Sequence, residues 1–558
     1  MKKAMPIEAT NFIEHEINKD ILSGKIAGGI QTRHPPEPSG YLHIGHARNI
    51  VINYGTALKY GGICNLRYDD TNPDKEKQEF VDALQDDVLW LGYKWNDIKY
   101  ATDYFQQNYE IAVKLIKEGK AYVCDLTTEE KQAYNGTLTE PGKNSPYRDR
   151  SVEENLDLFE RMKNGEFEQG SRCLRAKIDM AHPNMNMRDP VIYRIQYKNH
   201  HRIGRSWNIY PSYDFSHPLD DCLEGVTHSI CGLEFEEHRP LYNWVVENSG
   251  LANHSRQIEY ANLLIKNTVS GKRNIKKLVE AGVVWGWDDP RLITLKGLRR
   301  RGVLPESIVD FIYAAGLSKT TTICERDMFE YFIRNTLNEK SKRVMAVLDP
   351  VKLVITNYEG EGEEIELEDY PQKEETTKRK YVFGRELLIE RSDFEITPPP
   401  KYHRLYVGNK VRLKGAYVVT CTGYDTDENG KVTCVYAEYD KTTKSGGENS
   451  NVKVKGTIHW LNEKEAKQVE VRTFYNLLAD DEDGSTSERA DLGDIVINTK
   501  SVDINKNAFV ESDVEYTIED RYQFMRNGYY CLDAVDSKPE ALVFNRVVDL
   551  KGSYKPQA

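Results

Sequence analysis

Residues 35–47 read PPEPSGYLHIGHA, and no other stretch constrains the fold as much. The prolines and Ser39-Gly40 set a rigid turn that feeds a helix. His43 and His46 lie three apart, so they share one face of its first turn. Gly45 between them has no side chain and leaves room for a flat group against the backbone. A helix start also offers unpaired N–H groups and the positive end of its dipole. With two imidazole donors added, it becomes a site for phosphate.

The next segments place that helix in a sheet. NIVINYGTALKY (49–60) has the period of an amphipathic helix, closed by Gly61 and Gly62. ICNLRYDD (63–70) reads as a strand ending in two carboxylates, and EKQEFVDALQDDVLWLGY (76–93) as a second helix. The alternation predicts a βαβ unit and a parallel sheet, with ligands at the carboxyl ends of its strands. After about residue 340 the helical period fades. KVRLKGAYVVTCTGY (410–424) and KVTCVYAEYD (431–440) flank Asn429-Gly430, a hairpin signal in which both residues accept positive φ. VKVKGTIHWL (452–461) is a further strand, and 441–451 and 479–488 read as exposed loops. The second half is therefore predicted to be all-β, built as barrels.

The 558 residues predict three or four domains at roughly 150 residues each. The chain has no apolar run of the ~18 residues a membrane span needs, and its start lacks a secretory signal. Cysteines 64, 124, 173, 222, 231, 324, 421, 434 and 531 form no C-x-x-C pair and are odd in number. They predict neither a disulfide framework nor a zinc site, but buried thiols in a reducing cytoplasm. A net charge of −12 argues at first sight against nucleic acid. Net charge averages over a surface, however, and Arg299-Arg300-Arg301 and Lys272-Arg273 supply local basic clusters.

PPEPSGYLHIGHA resembles the first signature of class I aminoacyl-tRNA synthetases, in the form used by the glutaminyl and glutamyl branch. RYDDTNP (67–73), GTLTEPGKNSPYRDRSVEEN (136–155), CLRAKIDM (173–180), YPSYDFSHP (210–218), EGVTHSICGLEF (224–235), GWDDPRL (286–292), LRRRG (298–302), VMAVLDPVKLVI (344–355), YQFMRNGYYCLD (522–533) and FNRVV (544–548) continue the resemblance in order. It implies an α/β multidomain chain. A Rossmann-type nucleotide fold would be split between 1–100 and 211–265 by an acceptor-stem domain at 101–210. A helical connector would span 266–340. A proximal anticodon-binding barrel would be formed by 341–400 with 490–558, and a distal one by 401–489.

The resemblance also implies roles. ATP, with Mg²⁺ on its phosphates, would meet His43, His46 and Lys272 as catalytic donors, and Glu37, Gly45, Asn262 and Leu263 as binding residues. Lys272 lies in TVSGKRNIKK (268–277), which departs from the usual second signature at Ser270, Gly271 and Asn274. Asn262 stands where the family carries an ATP-contacting arginine. Glutamine would meet Arg33, Asp69, Tyr213, Cys231 and Gln257. Cys231 replaces an arginine of the glutamyl relatives, and a neutral residue favours the amide over the carboxylate. tRNA would meet Leu138 as an apolar wedge at the first base pair, Glu237 in the acceptor minor groove, and Arg343, Lys401, Arg404, Gln523 and Arg526 at the anticodon. The implied partners are tRNA(Gln), glutamine and ATP. The chain would act as a cytoplasmic monomer with no membrane role. A glutamate-specific enzyme of archaeal-type architecture and a catalytically silent tRNA-binding paralogue are the rival readings.

Overall fold

The computed structural model describes residues 2–72, 78–269, 271–478, 489–492 and 495–555. Ser270 and the expected loop at 479–488 therefore lie outside the described residues. The chain divides into two compact units, Met1–Leu264 with Ile312–Cys324, and Ile265–Phe311 with Glu325–Ala558.

The first unit begins with α1 (Phe12–Leu22) and β1 (Gln31–His34), followed by α2 (Ile44–Lys59), β2 (Ile63–Tyr68), α3 (Gln78–Trp90) and β3 (Ile98–Tyr100). The three strands pair in parallel, Gln31 opposite Ile63 and Leu66 opposite Ile98. Both faces of β1 are buried, as a parallel sheet covered by helices requires. Gly62 starts the return to β2 because any Cβ there would stand 2.0 Å from the Ile30 carbonyl oxygen. The observed helices and strand agree with the expected ones to within a few residues, except that α2 begins five residues earlier, at its histidine cap.

An antiparallel sheet then interrupts the parallel one. It follows α4 (Phe105–Lys117) and consists of β4 (Ala121–Cys124), β5 (Cys173–Ala176), β6 (Val191–Ile195) and β7 (Ile209–Pro211), in that order. Between β4 and β5 run α5 (Thr128–Asn135) and α6 (Val152–Asn164). Ile111 and Leu115 of α4 and Phe159 of α6 share one core with Leu174 and Tyr193 of the sheet. The chain then returns through α7 (Tyr213–Glu224), β8 (His228–Gly232), α8 (Arg239–Ser249) and β9 (Arg256–Tyr260). β8 and β9 pair in parallel, and Thr227, just ahead of β8, donates its N–H to Gln31 O at 2.9 Å. The second parallel pair thus meets the first at β1. That edge is where strand order reverses, and it is where such sheets open a crevice.

The second unit opens with α9 (Lys272–Glu280) and ends in two seven-stranded sheets. One runs, in spatial order, 342–344, 522–524, 528–532, 543–549, 467–474, 502–510 and 346–347. The other runs 457–458, 410–413, 418–426, 432–439, 350–355, 386–390 and 461–462. In each, the two terminal strands are near neighbours in the chain, so each sheet closes on itself as a barrel. Trp460, fully buried, plugs the second barrel at its closure.

The allotment of chain to barrels differs from the expected one. Strands 350–355 and 386–390 pair within the barrel of 410–462, whereas 467–474 pairs with 502–510 and 543–549 in the other. Two local expectations also change. The run 410–424 is broken at Lys414-Gly415-Ala416, where Gly415 takes φ +72. At the Asn429-Gly430 turn only Gly430 is left-handed, at φ +77. The turn is held instead by Asp427 Oδ1, which accepts from the N–H groups of Asn429 and Lys431. Of the segment 452–461, only 457–458 and Leu461 are strand.

Candidate active site

A cavity of about 680 Å³ opens in the first unit at the carboxyl ends of the parallel strands. His34, Pro35, Pro36 and Glu37 line it after β1, and Asp69 and Thr71 after β2. His43, Gly45 and His46 come from the start of α2, Tyr213 from the start of α7, and Cys231, Asn262 and Leu263 from the far strands.

The start of α2 is capped by its own imidazoles. Gly45 N–H donates to His43 Nδ1 at 3.1 Å, and His43 N–H donates to His46 Nδ1 at 3.2 Å. The pattern is that of a capping box with histidines in place of hydroxyl and carboxylate. An Nδ1 that accepts leaves the proton on Nε2 in a neutral ring. Burial pushes the His43 pKa down to about 4, which keeps it neutral at physiological pH. The two rings stand 4.0 Å apart. The cap also explains Gly45, since a Cβ there would meet His43 Cε1 at 2.9 Å. The space expected for a flat ligand group is first of all the space for the histidine ring.

Asp69 is set by a buried ionic network. Arg67 Nε donates to its Oδ1 at 3.0 Å, and His217 Nδ1 lies 3.1 Å from its Oδ2. Burial opposes ionisation, but Arg67 above all, with His217 and Arg33, holds the carboxyl below the usual range. Behind it, Asp221 accepts from Arg33 Nε at 3.0 Å, Arg67 Nη1 at 2.8 Å and Tyr242 OH at 2.8 Å. Tyr213, His217 and Asp221 recur every fourth residue of α7 and so lie on one face. Tyr213 stacks on His217 at 4.8 Å.

Cys231 lines the cavity as a buried neutral thiol, its pKa raised by burial. Asn262 and Leu263 also reach the cavity. Two expected contacts do not. Arg33 is wholly buried, committed to Asp221, Ser229 Oγ and the Ile230 carbonyl. Gln257 donates to the Phe235 carbonyl at 3.0 Å and to Glu259 Oε1 at 2.9 Å, and so ties down the wall carrying Phe235. The residues missed by the sequence reading are Arg67, His217, Asp221, Arg48, Arg194, Glu234 and Tyr260. The i, i+2 spacing of Arg67 and Asp69 on one strand and the fourfold recurrence on α7 were the signals available for the first three.

Lys272 belongs to the second unit, where it is the first residue of α9. Gly271 before it takes φ +87, and no side chain caps the helix. A left-handed φ accounts for the glycine in this altered signature. In the first unit, Leu138 stands 82% exposed at the tip of a loop. Arg188 Nη1 holds that loop by donating to the carbonyls of Asn135, Thr137 and Glu140 at 2.7, 2.8 and 3.0 Å. Glu237 is exposed, and its carbonyl accepts from Asn184 and Asn186.

The expected anticodon residues fall into two groups. Arg343 and Gln523 face each other across a parallel pair, Gln523 donating to Tyr529 OH and Arg343 to Asn338. Arg526 and Arg404 converge on buried Asp393, with closest separations of 2.5 and 3.4 Å. Lys401, exposed, sits nearby in sequence at φ +66.

A capped helix start at the crevice of a split parallel sheet, followed by two closed barrels, defines a class I aminoacyl-tRNA synthetase. The family described as tRNA synthetases class I (E and Q), catalytic domain, matches residues 29–339. Its two anticodon-binding domains match 341–440 and 457–533. A relative named glutamine–tRNA ligase from Clostridium perfringens is 52% identical, covering 98% of this chain and 99% of its own. Relatives of the same name from Clostridium kluyveri and Pseudomonas putida are 50% and 48% identical. They cover 98% and 99% of this chain, and 98% and 97% of their own. The chain belongs to the glutamine–tRNA ligase family.

Proposed function

We propose that the chain is a glutamine–tRNA ligase. The glutamine α-carboxylate attacks the α-phosphorus of ATP, diphosphate leaves, and glutaminyl-adenylate forms. The 2′-OH of the terminal adenosine of tRNA(Gln) then attacks the acyl carbon, and AMP leaves. The observation that carries the reading is the pair of neutral, reciprocally capped histidines at the cavity mouth, with ionised Asp69 and neutral Cys231 within the same cavity.

Both histidines present Nε2–H donors fixed before the reaction starts, and such donors stabilise charge developing on the α-phosphate without reorganisation. Asp69 takes the α-ammonium of the amino acid. Tyr213 and Cys231 face its side chain, with Arg33 and Gln257 as positioning residues behind them. Arg33 is committed to Asp221 and so is not free to pair with a side-chain carboxylate. Glu37, Gly45, Asn262 and Leu263 hold the nucleotide, and Lys272 follows the phosphates. Among the described residues the only convergent group of three potential metal ligands is Asp70, His200 and His201, none of which lines this cavity. Mg²⁺ would be carried in on the phosphates, where it would neutralise their charge.

Leu138 wedges the acceptor end, Glu237 reads its minor groove, and the Arg343–Gln523 and Lys401–Arg404–Arg526 groups meet the anticodon. The chain is proposed to act in the cytoplasm as a monomer. No helix among the described residues is long and apolar enough to cross a membrane. The test is ATP- and tRNA-dependent charging of the purified chain with glutamine and with glutamate. Glutamine is expected to be charged preferentially. Preference for glutamate, or tRNA binding without charging, overturns the reading.

A further inference from the structure

Two thiols face each other across the antiparallel sheet of the first unit. Cys124 ends β4, Cys173 begins β5, and the register pairs them directly. Residues so opposed stand about 4.5–5.5 Å apart at Cα, within the roughly 4.4–6.8 Å that a disulfide spans. Both are free thiols and both are buried.

Apolar packing does not account for what surrounds them. Cys173 Sγ accepts from Lys131 Nζ at 3.7 Å and lies 3.8 Å from the Cys124 carbonyl oxygen. Cys124 Sγ lies 3.5 Å from Ser145 Oγ. Cys173 above all, then Ser145, the Leu126 N–H and the charge of Arg175 favour the Cys124 thiolate. They hold its pKa below the ordinary thiol value against the cost of burial, and the Cys173 pKa is raised in return. One sulfur is thus disposed to attack and the other to follow. A cavity of about 190 Å³ is lined by Lys131 and Arg175, so a small oxidant can come as far as the two cations beside the pair.

The helix α5 gives the pair a consequence. None of its residues is buried. Side chains tie it down: Lys131 to Cys173, and Asn135 Oδ1 to Arg175 Nη2 of β5 at 3.2 Å. Tyr134 packs on the cluster that holds both cysteines. The helix ends at Gly136, where the loop carrying Leu138 begins.

We propose that Cys124 and Cys173 are a reversible oxidation site, closed to a disulfide by peroxide, and that closure releases Lys131 and loosens α5 ahead of the Leu138 loop. The functional half rests on reading that loop as the contact with the acceptor end. The Cys124 thiolate attacks one peroxide oxygen, the O–O bond breaks, and the leaving hydroxide takes a proton to become water. Cys173 then attacks the sulfur of the resulting sulfenic acid, the S–S bond forms, and the sulfenic hydroxyl leaves with the Cys173 proton as a second water. Two electrons pass from the two sulfurs to the peroxide. A disulfide sulfur is a weaker acceptor than a thiolate or thiol, so the Lys131 ammonium loses its partner.

The experiment treats the full chain with hydrogen peroxide, without substrates, and reads the thiols by alkylation and peptide mass spectrometry. Wild type should give peptides linked through Cys124 and Cys173, returned to two alkylatable thiols by dithiothreitol. The linked enzyme should transfer the aminoacyl group about three- to tenfold more slowly, the range for losing one net hydrogen bond. Its ATP affinity by calorimetry should be unchanged. Cys124→Ser keeps the contact between Lys131 and Cys173, so it should charge as wild type does and hold its rate after peroxide. Thiols left unlinked by peroxide overturn the proposal. So does a linked enzyme that transfers at full rate, or a Cys124→Ser variant that loses as much rate as wild type. If Cys124→Ser does not fold, Cys124→Ala makes the same comparison with the same overturning result. Failure of the glutamine reading is separate. It appears in which amino acid the wild type charges, whereas the linkage is read with none present.

Discussion

Two helix starts to which the proposed function gives roles in one reaction are built in opposite ways. α2 begins at His43, with two reciprocal side-chain bonds and a neighbour, Gly45, whose Cβ would push on the His43 ring. α9 begins at Gly271, left-handed and uncapped, with an exposed lysine as its first residue. One start has its donors fixed before any ligand arrives. The other has no side-chain cap and is anchored further along, by Ile275 and Leu278 in the core. On the proposed function this is a division of labour: preorganised charge stabilisation from α2, and a cation supplied by Lys272 of α9.

The largest effect expected is on the fixed side. His43→Ala removes a donor and a cap together. The rate of adenylate formation should fall about 10²- to 10³-fold, and unfolding in urea should show about 1 kcal/mol lost. Lys272→Ala should reduce the rate on a similar scale but leave stability within about 0.5 kcal/mol, as for an exposed surface position. Equal losses of stability in the two variants would erase the distinction between the two starts.

The second test is pH. Burial holds the pKa values of His34 and His43 near 4 in the folded chain, against an ordinary 6.5. Between those values the unfolded chain binds more protons, so stability rises with pH from 4 to 6.5 and is flat above. For buried His34 the full span corresponds to about 3 kcal/mol at pH 4, and for the part-exposed His43 to less. Urea unfolding of wild type and His34→Phe at pH 7 and pH 4.5 should show the wild type losing more on acidification. No histidine of α9 enters this balance, so a pH-independent wild type would count against the fixed, neutral start.

A smaller effect is expected at Gly271. Alanine there carries a Cβ into φ +87, which costs about 1–2 kcal/mol. No atom stands within 4 Å of that Cβ, so the effect is conformational and not steric. Gly271→Ala should slow adenylate formation several-fold in single-turnover assays while adenosine affinity is unchanged. A faster enzyme would mean that the glycine's freedom hinders ordering of this helix start.

How much of this was legible beforehand follows from distance along the chain. His43, His46, Asp69 and the first βαβ unit are written within about 60 residues; local periodicity marks the unit, and the resemblance to the family's signature marks the three side chains. Arg33 was placed in the pocket because it sits beside the signature, yet its partner Asp221 lies 188 residues away. No spacing rule reveals such a pair. Barrel membership failed for the same reason. Strand 350–355 pairs with 432–439 and strand 467–474 with 502–510, so both cross the boundaries expected at 401 and 489. Arg48 lay in plain view two residues past His46, but a charged residue on a helix reads as solvated until its surroundings are known.

The smallest stability effect, with a selective functional one, is expected at Leu138. This side chain is exposed as a surface position is, standing 82% accessible. Its loop resembles α2 in being fixed, because one guanidinium nitrogen of Arg188 satisfies three of its carbonyls. The tip can therefore change without the scaffold changing. Leu138→Ala should alter stability by less than about 0.5 kcal/mol. It should leave ATP affinity untouched and slow aminoacyl transfer about tenfold, consistent with the few kcal/mol at stake in unstacking a base step. Arg188→Met, which removes a donor from three carbonyls and leaves Glu140 O only the Thr137 N–H, should reproduce the transfer defect and also destabilise the fold by about 1–3 kcal/mol. Paired measurements of transfer rate and urea unfolding on both variants separate tip from base. A transfer defect in Arg188→Met with none in Leu138→Ala would show that loop shape, and not the exposed leucine, governs the acceptor end.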